Sequence, residues 1–162
     1  LTSSVTIGFV IGLFRGTIFS KLDSVKGKLN MIRNSYVVAG LSTFGLAACG
    51  VKTVTNMFSA NVILAAATLL SGFIATSVSF QFYQLPNLMS TTLFPESSSV
   101  ALSLTDAVGF LVTAGVMGFS SLVLGSFGWS AAWAFMAIIF SMGGATMVHA
   151  MRPILIEAAK RK

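Results

Sequence analysis

Long apolar segments occupy most of this 162-residue chain, and they limit what it can fold into. The hydrocarbon core of a bilayer is about 30 Å thick, so a helix needs about 20 apolar residues to cross it. About five segments approach or exceed that length. They cover residues 3–20, 34–50, 60–83, 100–124 and 129–151. The sequence therefore predicts an all-α, polytopic integral membrane protein, a helix bundle with about five transmembrane helices.

Composition excludes a water-soluble globule. Only 9% of the residues are charged and 55% are hydrophobic, with a mean hydropathy of +0.89. Soluble domains are nearer 25% charged. The formal net charge of +6 raises the question of a nucleic-acid partner. We predict none, because the cations cluster at the ends of the predicted helices, where they set topology and contact anionic lipid heads. The predicted partner is the lipid bilayer.

The basic residues also predict the orientation. Short loops rich in Lys and Arg stay on the cytoplasmic side of a membrane, or on its organellar equivalent. The stretch from Arg15 to Arg33 and the tail 152–162 fall on one side if the chain crosses the bilayer five times, and together they hold nine of the ten basic residues. Lys52 alone falls on the other side. The predicted topology is N-terminus out and C-terminus in, in a membrane that the sequence does not identify.

Two Pro- and Gly-containing features refine this picture. Gly8, Gly12 and Gly16 recur every four residues and line one face of the first span, which allows close approach of another helix. Pro153 follows Arg152 at the predicted inner boundary, where the last spanning helix should stop or kink. Residues 152–162 form a basic tail, and residues 154–162 have the option of a short amphipathic helix on the inner surface.

The sequence offers no pattern typical of an enzyme or a cofactor site. Cys49 is the only cysteine, so an internal disulfide is impossible, and no Cys/His cluster resembles a metal site. His149 stands alone, and we favour a structural or interfacial role for it over a ligand role. No acyl-transfer triad or phosphate loop is present, so we expect neither enzyme activity nor a cofactor. Because the chain opens at Leu1 inside an apolar segment, we expect further helices upstream.

Three stretches carry a resemblance to a known family. The basic stretch, residues 15–33, contains Asp23, Gly27 and Lys28. It is similar to a family loop motif that consists of a Gly, an Asp, a second Gly and basic residues. The turn 125–129, GSFGW, precedes small and aromatic residues as in the family's G-W-x-x-x-F turn before its last helix. Residues 93–111, LFPESSSVALSLTDAVGFL, resemble its inner loop and following Gly-containing helix. The chain thus resembles the C-terminal portion, about helices eight to twelve, of a major facilitator superfamily transporter.

This resemblance implies a function that the chain cannot perform by itself. Transporters of this kind have about twelve helices in two bundles and bind solute near the bilayer midplane, where the bundles meet. About five helices lack the other half of that cavity. The expected function is part of a secondary transporter that moves a small polar solute by alternating access, with an anionic solute as one option given the basic inner face.

Six residues are candidates for solute binding or gating. Asp106 is an acid in an apolar helix, where ionisable groups are costly and tend to be functional. A gating or proton-linked role competes with an interfacial role near a helix N-terminus. Gln81 and Tyr83, beside Gln84, close the inner end of the third predicted span, and helix-to-helix hydrogen bonding competes there with solute contact.

The other three candidates belong to the basic stretch. Arg15 either extends its side chain to the inner interface or pairs with Asp23 or Asp106 as a latch on the inward side. In transporters that this chain resembles, the corresponding loop is thought to stabilise one conformation through such charge contacts. Asp23 and Lys28 are therefore candidates as members of that loop motif.

Two other functions remain open on the sequence. The chain is alternatively a non-transporting structural or accessory subunit of a larger membrane complex, in which case its partners are other membrane subunits. A further alternative, half of a drug/metabolite-type carrier with five helices in each repeat, fits the number of helices. It fits the basic stretch and the Gly-Trp turn less well.

Overall fold

The computed structural model describes residues 2–160, and these form helices joined by short connections. No strand occurs within that range, which confirms the predicted all-α fold. The six helices are α1 (Thr2–Lys21), α2 (Val25–Cys49), α3 (Lys52–Met57), α4 (Ala60–Leu93), α5 (Ser98–Phe127) and α6 (Trp129–Lys160), with a 3₁₀ turn at Pro95–Ser97.

Four helical segments are long and apolar enough to cross a bilayer: α1, α4, Pro95–Phe127 and α6. They identify the chain as a membrane protein. The fifth predicted span corresponds to α2, which has 25 residues and is about 37 Å long at 1.5 Å per residue. It does not join the four among the described residues because Arg33, Asn34 and several small polar residues lower its hydropathy. Ser35, Ser42 and Thr43 are buried against neighbouring helices.

The basic stretch is helical except for three residues, which differs from the loop that we predicted. α1 continues to Lys21, and α2 begins at Val25 rather than near residue 34. Lys and Arg are good helix formers, and Ser24 caps the new helix by accepting a hydrogen bond from the backbone N–H of Gly27 at 3.2 Å. Asp23 lies in the short connection.

The predicted connection 84–99 is also largely helical, because α4 continues through Pro86 to Leu93. A proline inside a helix removes one backbone hydrogen bond. Beyond it, however, α4 buries Ser90 and Thr92, and Leu85 just before it is 1% exposed. Packing on both sides of the proline thus keeps the helix intact. Residues 51–59, the connection between the second and third predicted spans, likewise contain the short helix α3.

The last long helix does not stop at Pro153, which was one of the two alternatives predicted there. α6 continues to Lys160, and residues 161 and 162 lie outside the described range. The reason is packing: three residues around the proline are buried in an apolar cluster with residues of α1, α2 and α4. The cluster comprises Phe19, Ile32, Phe80, Leu85, Met151, Ile154 and Leu155.

This cluster defines one end of the bundle, where the end of α1, the start of α2 and the end of α6 meet. We call it the basic end, because Lys21, Lys26, Lys28 and Arg152 lie on those helix termini. Lys52 follows the opposite terminus of α2. The basic stretch and the C-terminal part of α6 are therefore close in space.

The predicted glycine stripe is confirmed as a contact face between α1 and α4. All three glycines are buried, and a Cβ at Gly8 would overlap the carbonyl oxygen of Gly72. A Cβ at Gly12 would lie 2.6 Å from the Thr76 carbonyl oxygen. The contact pairs Gly8–Gly72 and Gly12–Thr76 advance in the same direction along both helices, so α1 and α4 are parallel. Their backbones approach closely because glycine has no side chain to separate them.

α2 packs against both α4 and α6, and its contacts with α6 are the more extensive. α6 runs antiparallel to it, since Gly50 of the region after α2 meets Trp129 while Tyr36 meets Gly144. α5 touches α4 and α6 less extensively and buries none of its residues. Gly128, with φ of 83°, provides the tight turn between α5 and α6 that the sequence predicted.

Candidate functional site

A charged side chain lies within the bundle where α1, α2 and α4 meet. Nη2 of Arg15 donates a hydrogen bond to Oγ of Ser35 at 3.0 Å. Ser35 is 0% exposed, and its own hydroxyl donates to the carbonyl oxygen of Met31 at 3.0 Å. The guanidinium also lies over the ring of Phe80, 5.8 Å from its centroid, a distance typical of a cation–π contact. α1 thus directs its cation at the other two helices.

Two buried polar atoms of α4 have no hydrogen-bond partner among residues 2–160. They are Oγ of Ser77 and Nε2 of Gln81. Other hydroxyls of this region bond to their own helix: Ser71 donates to the Ala67 carbonyl at 2.8 Å and Thr76 to the Gly72 carbonyl at 2.9 Å. An unpartnered buried group costs about 1–3 kcal/mol, so these two atoms are unusual features of the interior.

The helix register places both atoms on the side of α4 that faces α2. Leu70 lies under Gly45, and ten residues further along α4 the Arg15 guanidinium contacts both Phe80 and Ser35. The two helices are therefore antiparallel. Ser77 and Gln81 are one turn apart and share a face with Leu70, since all three lie within about 40° at 100° per residue. Arg15 is hydrogen-bonded to Ser35 and contacts Phe80, and Ser77 and Gln81 lie three residues before and one residue after Phe80 on α4. We group Arg15, Ser35, Ser77 and Gln81 under the name interior polar cluster.

Two predicted candidates, Arg15 and Gln81, belong to this cluster. Gln81 is in the middle of α4, not at its end, because that helix is longer than predicted. Tyr83 lies elsewhere: it is 51% exposed and its ring packs edge-on against Phe82 at 5.2 Å. The hydrogen bond of Arg15 goes to Ser35 and not to Asp106, so the structure does not bring that predicted pair together.

The remaining three candidates lie outside the cluster. Asp106 is half-buried on α5, which lies at the periphery of the bundle. Lys28 is in the first turns of α2, with its ammonium 5.4 Å from the centroid of Phe19, and Asp23 precedes that helix. Both lie at the basic end, and their roles as parts of a loop motif stay predictions.

Neither of the two serines of the cluster, Ser77 on α4 and Ser35 on α2, was among the residues predicted for solute binding or gating. A signal for Ser35 was present: Ser35, Ala39, Ser42 and Leu46 recur at spacings of four, three and four residues, which marks one helix face. That face is the buried face of α2. What the pattern lacked was the identity of the opposing helix. Among residues 2–160 no group of His, Cys, Asp and Glu is arranged to hold a metal ion.

Comparison with known proteins adds no further assignment. No protein-family model, curated protein sequence or solved structure matches this chain.

Proposed function

We propose that this chain forms part of a secondary transporter that moves a small polar solute by alternating access, and that the interior polar cluster binds the solute. The observation that carries the proposal is the guanidinium of Arg15, bonded between helices next to α4, where two buried polar atoms have no hydrogen-bond partner among residues 2–160. The resemblance of three sequence stretches to the major facilitator superfamily supports it. So does the density of basic residues at one end, which favours an orientation with that end on the cytoplasmic or equivalent side.

The chemistry of the cluster favours an anionic solute. A guanidinium remains charged at any physiological pH and presents five N–H donors in a planar fork that suits a carboxylate or a phosphate. One of those donors is engaged by Ser35. A serine hydroxyl and a primary amide can add neutral hydrogen bonds around a bound anion. Charged groups within membrane helices commonly mark such solute pathways.

Anion-dependent thermal stability tests this function in the complete protein. We would measure the unfolding temperature in mild detergent with inorganic phosphate, succinate and acetate, each at matched ionic strength against chloride. A ligand present at 100 times its Kd stabilises the folded state by about 2.7 kcal/mol. We expect at least one of these anions to raise the unfolding temperature of the native protein, and Arg15→Gln to abolish that shift.

Lys52→Gln is the matched control, because it removes one positive charge from an exposed site outside the cluster. It should leave the shift unchanged. Uptake of the stabilising anion into proteoliposomes should then fall with Arg15→Gln and persist with Lys52→Gln. A stabilising anion that acts equally on all three proteins would refute a role for the cluster.

A second candidate function, that of a non-transporting structural or accessory subunit, draws on an observation about α5. α5 buries none of its residues, and a Cβ placed at Gly109, Gly115, Gly118 or Gly125 would meet nothing within 4 Å. In the α1–α4 pair, glycines allow the two helices to pack closely. The glycines of α5 have no helix packed against them among residues 2–160, which favours packing against helices outside this chain. This supports either further helices of a transporter or neighbouring subunits of a complex.

The mass of the natively extracted polypeptide separates these two alternatives. A single polypeptide several times heavier than the 17.0 kDa of this chain supports the transporter. A polypeptide of that smaller mass, held in a complex with other membrane proteins, supports the accessory subunit and contradicts the transport proposal.

A further inference from the structure

A long apolar groove runs between α2 and α6 on the outer surface of the bundle. Its volume is about 750 Å³. The lining side chains are apolar along most of its length and come from both helices. They include Val37, Leu41 and Phe44 of α2 and Ile138, Ala145 and Val148 of α6.

The groove exists because the two helices approach closely along one line and carry small residues beside it. Gly144 lies under Tyr36, where a Cβ would come within 2.6 Å of the tyrosine Cβ. Gly40 faces Ser141, and a Cβ added at that glycine would lie 3.4 Å from the serine Oγ. Ala134 and Ala145 then leave space that larger side chains would fill. Close packing at Gly40 and Gly144, with space beside it at Ala134 and Ala145, leaves a groove that is open to the outer surface of the bundle.

One end of the groove, the one at the basic end of the bundle, carries positive charge. Arg33 lines it at the basic end, and Arg152 follows Val148 by four residues, so it continues the same face of α6 by one turn. Both side chains are exposed. Within residues 2–160, neither guanidinium makes a hydrogen bond or an ion pair.

The α2 side of the groove is about as long as one leaflet of a bilayer, and its α6 side, from Ala134 to Val148, is about 21 Å long. Arg33 and Phe44 are eleven residues apart on α2, or about 16 Å at 1.5 Å per residue. Half of a hydrocarbon core of about 30 Å is about 15 Å. A cationic group at the headgroup level and an apolar channel of that depth are complementary to a phosphodiester headgroup and one acyl chain.

We propose that this groove binds an anionic phospholipid from the leaflet at the basic end. Arg33 and Arg152 contact its phosphate, and one acyl chain lies along the apolar lining. Basic pockets between membrane helices bind anionic headgroups by this combination of charge and shape. The proposal rests on the membrane location of the chain and is independent of the proposed transport function.

Native mass spectrometry of the complete protein tests this binding. The protein is reconstituted in vesicles of equal parts phosphatidylglycerol and phosphatidylcholine, extracted in mild detergent and examined for retained lipid. We expect phosphatidylglycerol to be retained in preference to phosphatidylcholine. Each arginine near the surface contributes about fivefold to binding of an anionic lipid, so Arg33→Gln with Arg152→Gln should lower retention about 25-fold.

Two further variants separate the groove from general charge. Lys52→Gln removes a cation at the opposite end of α2 and should leave retention unchanged. Ala145→Leu fills the groove at an exposed position and should reduce retention with the basic residues intact. Its control is Ala114→Leu on α5, which is also exposed and lies outside the groove.

Several outcomes would overturn the proposal. An equal loss with Lys52→Gln would mean that net charge attracts the lipid without a site. Unchanged retention in Ala145→Leu would exclude the groove as the acyl site. If the native protein is dimeric and Ala145→Leu makes it monomeric without changing lipid retention, the groove is an interface between two copies of the chain.

Discussion

Replacing Gly12 by alanine should weaken the contact between α1 and α4 in a way that the structure quantifies. The added Cβ would overlap Oγ of Ser79 and lie 2.6 Å from the carbonyl oxygen of Thr76. The serine hydroxyl can rotate away, although doing so gives up its 3.3 Å hydrogen bond to the Phe9 carbonyl. The Thr76 carbonyl belongs to the helix backbone and can move only if α4 moves.

The size of that movement sets the expected cost. Ordinary contact begins near 3.4 Å, so the Cβ and the Thr76 oxygen must separate by about 0.8 Å, the difference between 3.4 and 2.6 Å. Overpacking of one methyl group in a well-packed interior costs typically about 1–3 kcal/mol. Against this stands the higher helix propensity of alanine, about 1 kcal/mol. The difference between these two terms is a net destabilisation by Gly12→Ala of up to about 2 kcal/mol.

The chain supplies a graded set of controls. A Cβ at Gly16 would approach only the flexible side chain of Gln84, the nearest atom being Nε2 at 2.7 Å, so Gly16→Ala should cost less. A Cβ added at Gly118 of α5 would have no atom within 4 Å. Gly118→Ala should therefore show the propensity gain without a steric cost and be neutral or stabilising.

Thermal unfolding in detergent, followed by far-UV circular dichroism, measures this order directly. The unfolding temperature should be lowest for Gly12→Ala, intermediate for Gly16→Ala and highest for Gly118→Ala. Equal unfolding temperatures for the Gly12 and Gly118 variants would show that α1 and α4 do not pack through the glycine face, and the close approach of their backbones would be refuted.

Three further substitutions test other contacts of the bundle. Leu155→Ala should lower the free energy of unfolding by about 2–5 kcal/mol, because this side chain is 2% exposed in the apolar cluster. Chemical denaturation would measure this loss. The control is Ile156→Ala, whose side chain is 42% exposed and whose loss should cost less than about 1 kcal/mol. Ser77→Ala removes a hydroxyl that has no hydrogen-bond partner within residues 2–160, so stability should be unchanged or higher while anion-dependent stabilisation falls. A clear loss of stability without anion would reveal a partner for that hydroxyl. Gly144→Ala should lower the unfolding temperature because its Cβ would lie 2.6 Å from the aromatic residue that packs on it. Gly143→Ala is its control, with 3.9 Å to the nearest atom, and equal effects would contradict that packing.

Local features of the fold were accessible from the sequence because they depend on residues close together in the chain. The all-α class follows from long apolar segments, and the glycine face of α1 follows from a four-residue spacing. The turn at Gly128 follows from a glycine between two apolar helices. In each case the pattern itself contains the physical cause.

Helix ends were less accessible, because distant residues determine them. Pro86 and Pro153 are local signals for a break, yet both lie inside continuous helices. The burial of Leu85 on α4 and of Ile154 and Leu155 on α6 explains why. A sequence shows the local cost of a proline but does not show the packing that offsets it.

The interior polar cluster illustrates the same limit for function. The sequence by itself determined that the chain is a membrane helix bundle and that Arg15 and Gln81 are polar groups in apolar helices. Only the tertiary structure decided that Arg15 bonds to Ser35 and that Ser77 and Gln81 each bury a polar atom with no hydrogen-bond partner among residues 2–160. It also placed Asp106 on α5, outside this cluster. Apolar length is a property of one segment, whereas a contact between side chains depends on which helices become neighbours and in what register. These are set by packing over the whole bundle.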